Sequence, residues 1–307
     1  MTGNEWADFR ERLRAYDPDH DRGRPLRFAE IATAFPEPSL NVLREHPRVR
    51  MADFAEIGFC AYKGWHRGRG TEVRRPVAVQ AKATVGERIH VRKVVEELRA
   101  ARKLPAATPA SLRNPKIDIA RIPELPAWVK VGHLIYASRI ERAGRTAGDL
   151  QVTEIKTGNW VWMPDHILQV WGYCLSAPGA LLRETEGNFR ANAIRWGLSY
   201  PKDEFGPYPF TEDALRLVRR GMRLFERLFQ AGANGDIEVP VDPDGPSVRK
   251  CPKCAFSHAC RWSRAPPIGP PLTLGGLSVS SNNQTSTRTS EGDRTKLSGR
   301  FARYGGG

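Results

Sequence analysis

Val152-Thr153-Glu154-Ile155-Lys156-Thr157-Gly158 reads as a short strand closed by a glycine turn. β-branched residues favour extended backbone, and side chains two apart leave a strand on one face. Glu154 and Lys156 therefore project together, a carboxylate able to hold a cation beside an ammonium. Ile155 turns the other way and offers its main-chain carbonyl as a further oxygen ligand. Oxygen ligands for Mg2+ or Mn2+ next to a positive group are what metal-dependent phosphodiester hydrolysis needs. On an exposed strand edge the same pair would be an ordinary ion pair, so the surroundings decide.

Val129 to Glu141 (VKVGHLIYASRIE) and Leu150 to Thr157 carry strand patterns joined by the polar stretch RAGRTAGD, which predicts an antiparallel hairpin with Glu154 on its second strand. A helix follows from Asp165 to Ser176, with Gln169 and Tyr173 one turn apart. Ala193 to Tyr200 (AIRWGLSY) is another strand, and Thr211 to Ala231 is an amphipathic helix with Thr211 as N-cap. Upstream, Thr84-x-x-Glu87 has the form of a capping box and introduces a helix from about Val85 to Leu104 that carries Gly86 and His90. This order predicts an α/β fold, a mixed sheet flanked by helices.

Residues 1 to 50 are polar and broken by five prolines, and they read as an arm packed on the body. The body, residues 51 to 265, opens with MADFAEIGFCAYKGWHRGRG, whose apolar residues fall near helical spacing. Residues 266 to 307 are Pro, Gly, Ser, Thr and Asn with little to bury, a composition that predicts disorder. The formal charge is +14, of which the tail supplies only +3, so about +11 sits on the rest of the chain and suits a polyanionic partner. No apolar run approaches the roughly 20 residues of a membrane helix, and the N-terminus lacks a signal-peptide core, which predicts a cytoplasmic protein with no membrane partner. Three of the five cysteines crowd together as Cys251-x2-Cys254-x5-Cys260, a spacing that fits thiolate ligation in a reducing compartment. Cys174 falls on an apolar helix face as a small core residue.

Gly86-x3-His90, Glu154-x-Lys156-Thr-Gly and Gln169-x3-Tyr173, in that order, resemble the RecB-like branch of the PD-(D/E)XK nuclease superfamily. The resemblance implies a restriction-endonuclease-like core in which His90 and Glu154 are metal ligands, Lys156 is the catalytic lysine, and Gln169 and Tyr173 support the site. It covers Met51 to Trp262 and departs from the family at one place. Where the first hairpin strand should carry an Asp, the chain reads Gly132-His133-Leu134-Ile135, so Ile135 occupies the position. His133 shares its face and is either a replacement ligand, one that suits Mn2+ better than Mg2+, or an ordinary strand histidine. Asp149, five residues before Glu154, faces away and closes the turn.

CRISPR-associated and viral members of this branch hold a 4Fe-4S cluster with one cysteine before the core and three after it. By that resemblance Cys60 joins Cys251, Cys254 and Cys260, and the cluster staples the ends of the domain. A zinc knuckle of Cys251, Cys254, His258 and Cys260 is the alternative. Lys63, Trp65, His66, Arg67 and Arg69 combine charge with stacking surface for single-stranded DNA, or else supply core aromatics. Asn159-Trp160-Val161-Trp162-Met163 is a stacking platform or a buried plug. Arg216, Arg219, Arg220 and Arg223 line one helix side as a solvated face with phosphate affinity. The function expected is a metal-dependent DNA exonuclease acting preferentially on single strands, in recombination, repair or phage- and CRISPR-related processing. The alternative is a catalytically inactive DNA-binding or adaptor protein that keeps the fold and cluster.

Overall fold

A computed structural model describes residues 3–74, 84–85, 87–89, 91–93, 95–96, 99, 108–157, 164–236, 246 and 248–264. His90, Gly86, the Trp160 and Trp162 segment and the tail lie outside the described residues. Helices α1 (Gly3–Ala15), α2 (Phe28–Ala34) and α3 (Leu40–Glu45) lead into strand β1 (Arg48–Arg50). The broken helical stretch α4 (Met51–Ala55), a 3-10 turn (Glu56–Gly58) and α5 (Tyr62–Gly68) follow. After α6 (Pro109–Arg113) come β2 (Ile119–Val131), β3 (Leu134–Thr146), β4 (Asp149–Ile155), α7 (Pro164–Glu184), β5 (Ile194–Ser199), β6 (Glu204–Pro209) and α8 (Glu212–Asn234).

The fold is α/β, a mixed open sheet of six strands flanked by helices. β3 is its spine. β2 pairs antiparallel along one edge of it, from Val131 opposite Leu134 to Ile119 opposite Arg145. The other edge is divided: β1 runs parallel to Ile135–Ala137, and β4 runs antiparallel to Arg142–Thr146. β5 lies parallel to β4, with α7 as the crossover that a parallel pair requires, and β6 closes the sheet antiparallel to β5.

The predicted hairpin is thus the second half of a meander. β2 carries Pro123 and Pro126 and tolerates them because it is an edge strand, where a missing N–H costs no ladder bond. The loop expected over 142–149 shrinks to Ala147-Gly148, both at positive φ (50° and 84°), the two-residue geometry whose twist matches the flanking strands. Arg145, read as loop, is buried in β3 and donates to the carbonyls of Ser111, Leu112, Ile117 and Arg190.

Residues 1–50 share the hydrophobic core of this unit, which spans Met1–Pro266. Trp6, Phe9 and Leu13 of α1 are buried, and Arg220 and Arg227 of α8 pair with Asp8 and Glu5. Thr211 caps α8 by accepting from the Ala214 N–H at 3.2 Å. α8 buries the stripe Ala214, Val218, Met222, Phe225 and Leu228, one face of a helix. It meets α5 at close range: a Cβ on Gly68 would lie 1.8 Å from the Phe229 carbonyl oxygen, and one on Gly232 would lie 2.0 Å from that of Trp65. In α7 every residue from Ile167 to Leu181 is buried except Gln169.

Candidate active site

β4 ends at Ile155, and the chain passes to Lys156, whose N–H is held by the Ser199 carbonyl at 2.7 Å. Glu154 is buried, 1% exposed, and its Oε1 lies 2.5 Å from Lys156 Nζ. Lys156 Nζ also donates to Gln169 Oε1 at 2.8 Å, and Gln169 Nε2 donates to the Tyr173 hydroxyl at 2.7 Å. Tyr173 lies beside Glu154 and helps lower its pKa. The four residues singled out on β4 and the following helix are therefore one connected polar cluster. α7 presents Gln169 and Tyr173 at i and i+4, so both reach the strand end from one helix face.

The second carboxylate is Glu141. Arg142–Thr153 is the last pair of the β3–β4 ladder, and Glu141 lies one residue beyond it, close enough for its charge to act on Glu154. Glu141 also accepts the Ile155 N–H through Oε2. Burial, and then the Glu141 charge, push the Glu154 carboxyl up to about 7 against the opposing pull of Lys156. Burial works against charge on Lys156 too, but Glu154 outweighs it and the ammonium is held above its usual pKa. Glu154 Oε2 is buried with no hydrogen-bond partner. Glu154 and Glu141 thus bring two hard-oxygen donors to the end of β4, while among the described residues no three His, Cys, Asp or Glu side chains converge to hold a metal ion.

Ile135 and His133 do not belong to this cluster. Ile135 pairs with Arg48 and Lys130 near the opposite end of β3 and is fully buried. His133 is exposed in the β2–β3 turn, its N–H on Glu226 Oε1 at 2.6 Å. Both were placed by counting from Gly132; the register of β3 on β4 puts the acidic position at Glu141 instead. Asp149 sits at the turn as expected and accepts from the Ala193 N–H and the Arg195 guanidinium. Other residues stand at the site without a sequence signal: His166 Nδ1 lies 2.9 Å from the Tyr200 hydroxyl, and burial, then Lys156, lowers its pKa to about 4. Lys93 Nζ reaches Ser199 Oγ at 3.5 Å, which brings Lys93 to the end of β5.

A separate cysteine region lies where α5 meets the residues after 246. Cys60, Cys251, Cys254 and Cys260 line one small cavity with Phe59, Pro246, Lys250, Ser257 and Ser263. No disulfide joins the described cysteines. Among the described residues no three His, Cys, Asp or Glu side chains converge on a single-ion site, and exposed His258 does not line this cavity. Burial raises the Cys254 thiol and pushes that of Cys260 up to about 11. Aromatic contacts hold the two chain segments together: Trp262 stacks on Tyr62 at 4.1 Å and Phe256 on His66 at 5.0 Å. Tyr62, Trp65 and His66 are therefore core, while Lys63 and Arg67 pair with Glu56, and Arg67 also with Asp53. The aromatic residues of that stretch are thus packing, while Arg69 is exposed over the Trp65 ring. Cys174 is buried in α7.

No protein-family model matches the chain, and no curated protein matches it. Among the described residues no helix is long and apolar enough to cross a membrane.

Proposed function

We propose that the chain is a metal-dependent nuclease of the RecB-like PD-(D/E)XK kind, acting on DNA as an exonuclease with a preference for single strands. The observation that carries this reading is the polar cluster at the end of β4, where the Glu141 charge acts on buried Glu154 and Glu154 Oε2 lacks a partner. Glu154, Glu141 and the Ile155 carbonyl would hold Mg2+ or Mn2+, with His90 a further candidate from outside the described residues. A divalent cation there supplies Lewis-acid activation and charge neutralisation at the phosphodiester. Lys156, fixed by Glu154 and Gln169, places a positive charge at the rim, and Tyr173 buttresses Gln169 from the helix.

On the family resemblance the four cysteines are assigned to a 4Fe-4S cluster, with zinc the alternative. A zinc ion at about 2.3 Å from each sulfur requires four donors converging on one point. A 4Fe-4S cluster takes four thiolates, and Cys60, Cys251, Cys254 and Cys260 line one shared cavity. Ligation would also offset the burial that raises the Cys254 and Cys260 thiols.

Cleavage of labelled single- and double-stranded DNA with Mg2+ and Mn2+, with Lys156→Ala as control, tests the enzyme reading. Wild-type cutting that the variant loses supports it. Equal inertness of the two proteins, with DNA still bound, assigns the chain to binding or adaptor work instead. Visible absorption near about 400 nm in anaerobically purified protein, lost in Cys254→Ala, tests the cluster.

A further inference from the structure

A cleft of about 740 Å3 lies between the end of α1, the loop after it and the first half of α8. Arg12, Arg22, Arg216, Arg219, Arg220 and Arg223 line it. The four from α8 recur at i, i+3, i+4 and i+7, which sets them on one helix face over about 10 Å of its length. Three carboxylates share the cleft, Asp17, Asp21 and Asp213, so the arginines leave it with a net positive charge.

Those carboxylates are occupied. Asp213 accepts from Arg216, Asp17 from His20, and Asp21 from Tyr16, Thr211 and the Gly23 N–H. Arg12 and Arg220 share Asp8. Arg22, Arg219 and Arg223 are exposed and have no carboxylate partner among the described residues. Arg219 and Arg223 follow one another along α8 a turn apart and Arg22 stands on the loop after α1, a row that matches a linear polyanion. Guanidinium forks suit phosphate oxygens. The Tyr16 ring, the aromatic group in the wall, is turned edge-on against Trp171 at 4.7 Å and its hydroxyl is bound to Asp21, so it offers no base platform.

We infer that this cleft is a docking groove for the phosphodiester backbone of nucleic acid, gripping the strand without reading its bases. The inference rests on the nucleic-acid reading of the Glu154 site. Tyr16 links the two places, because Trp171 belongs to α7, the helix that carries Gln169 and Tyr173.

Binding of a labelled oligothymidylate by the full chain, followed by fluorescence anisotropy over a range of salt concentrations, tests the groove. Arg219→Gln with Arg223→Gln should flatten the slope of log affinity against log salt by about 1.4, which is about 25-fold weaker binding at about 0.1 M salt. Lysines at both positions should restore most of the slope, since the charge returns. Both side chains are exposed, and a far-ultraviolet circular dichroism spectrum checks that the variants fold. An unchanged slope in the double glutamine variant overturns the groove. So does inorganic phosphate that protects the wild type but not the variant while oligonucleotide binding stays the same, because the cleft is then a small-anion site. Cleavage by the wild type with an arginine-independent slope removes the groove and keeps the nuclease. Arginine-dependent binding with cutting no better than that of Lys156→Ala does the reverse.

Discussion

Glu141→Gln should change the stability of the protein in opposite directions depending on whether a divalent cation is present. In the metal-free protein Glu141 lies just beyond the last β3–β4 pair, bonded to the Ile155 N–H, with its charge acting on Glu154, and neighbouring side chains on one sheet face stand about 5 Å apart. At an effective dielectric near 20, two charges at that distance repel by about 3 kcal/mol. Lys156 and the partial exposure of Glu141 reduce this, leaving about 1 kcal/mol for the variant to recover. Glutamine keeps a carbonyl oxygen for the Ile155 N–H, so the strand contact survives. The gain belongs at pH 8, where Glu154 is ionised, and should vanish near pH 5, below its pKa of about 7. With Mn2+ at about 100 times its dissociation constant the wild type should gain about 2.7 kcal/mol and the variant much less. Urea denaturation at the two pH values, with and without Mn2+, reads all four numbers. A variant less stable than wild type at pH 8 without metal, or equally stabilised by Mn2+, would refute the pairing of these carboxylates.

Further outcomes follow from packing and burial. Gly68→Ala should destabilise by about 2 kcal/mol or more in thermal denaturation, because the clash with the Phe229 carbonyl outweighs the roughly 1 kcal/mol that alanine adds to a helix. Arg145→Met strands four carbonyl acceptors and should lower stability by about 3 kcal/mol, with α6 the first element to lose amide protection. His66 is 1% exposed, and burial lowers its pKa from 6.5 to about 4. The folded state therefore binds fewer protons between those values, and its stability is present above pH 6.5 and lost as the pH falls toward 4. Relative to His66→Gln, the wild type should lose about 2 kcal/mol between pH 7.5 and pH 5, as read from urea midpoints. A pH-independent difference between the two proteins would refute it.

Glu154, Lys156, Gln169 and Tyr173 were legible because their grouping is set by local periodicity, a strand period of two and a helix repeat of four. Glu141 was not, because its place depends on the register of two strands, which the Ala147-Gly148 turn fixes. The stretch from Arg142 to Thr146 looked like loop, since Arg145 is charged, yet Arg145 is buried by bonding to carbonyls of other segments. β2 was hidden by Pro123 and Pro126, residues that only an edge position accommodates. The integration of residues 1–50 was masked by their prolines, although Trp6, Phe9 and Leu13 already form a helical stripe. The shared cavity of Cys60 with the later cysteines joins parts of the chain that no local pattern connects.

The division of β3 between β1 and β4 on one edge carries a consequence for the order of assembly. β1 is made early but has no ladder until β3 exists, and α1 meets its partners on α8 later still, since Asp8 and Arg220 are 212 residues apart. Closing loops of that length takes entropy before any contact rewards it, so high contact order should slow folding. During synthesis the first helix therefore waits, with Trp6 and Phe9 uncovered, until α8 has left the ribosome. α1 is made long before α8 yet is among the last elements to be placed, and a nascent chain stalled before α8 would present those two aromatics to chaperones.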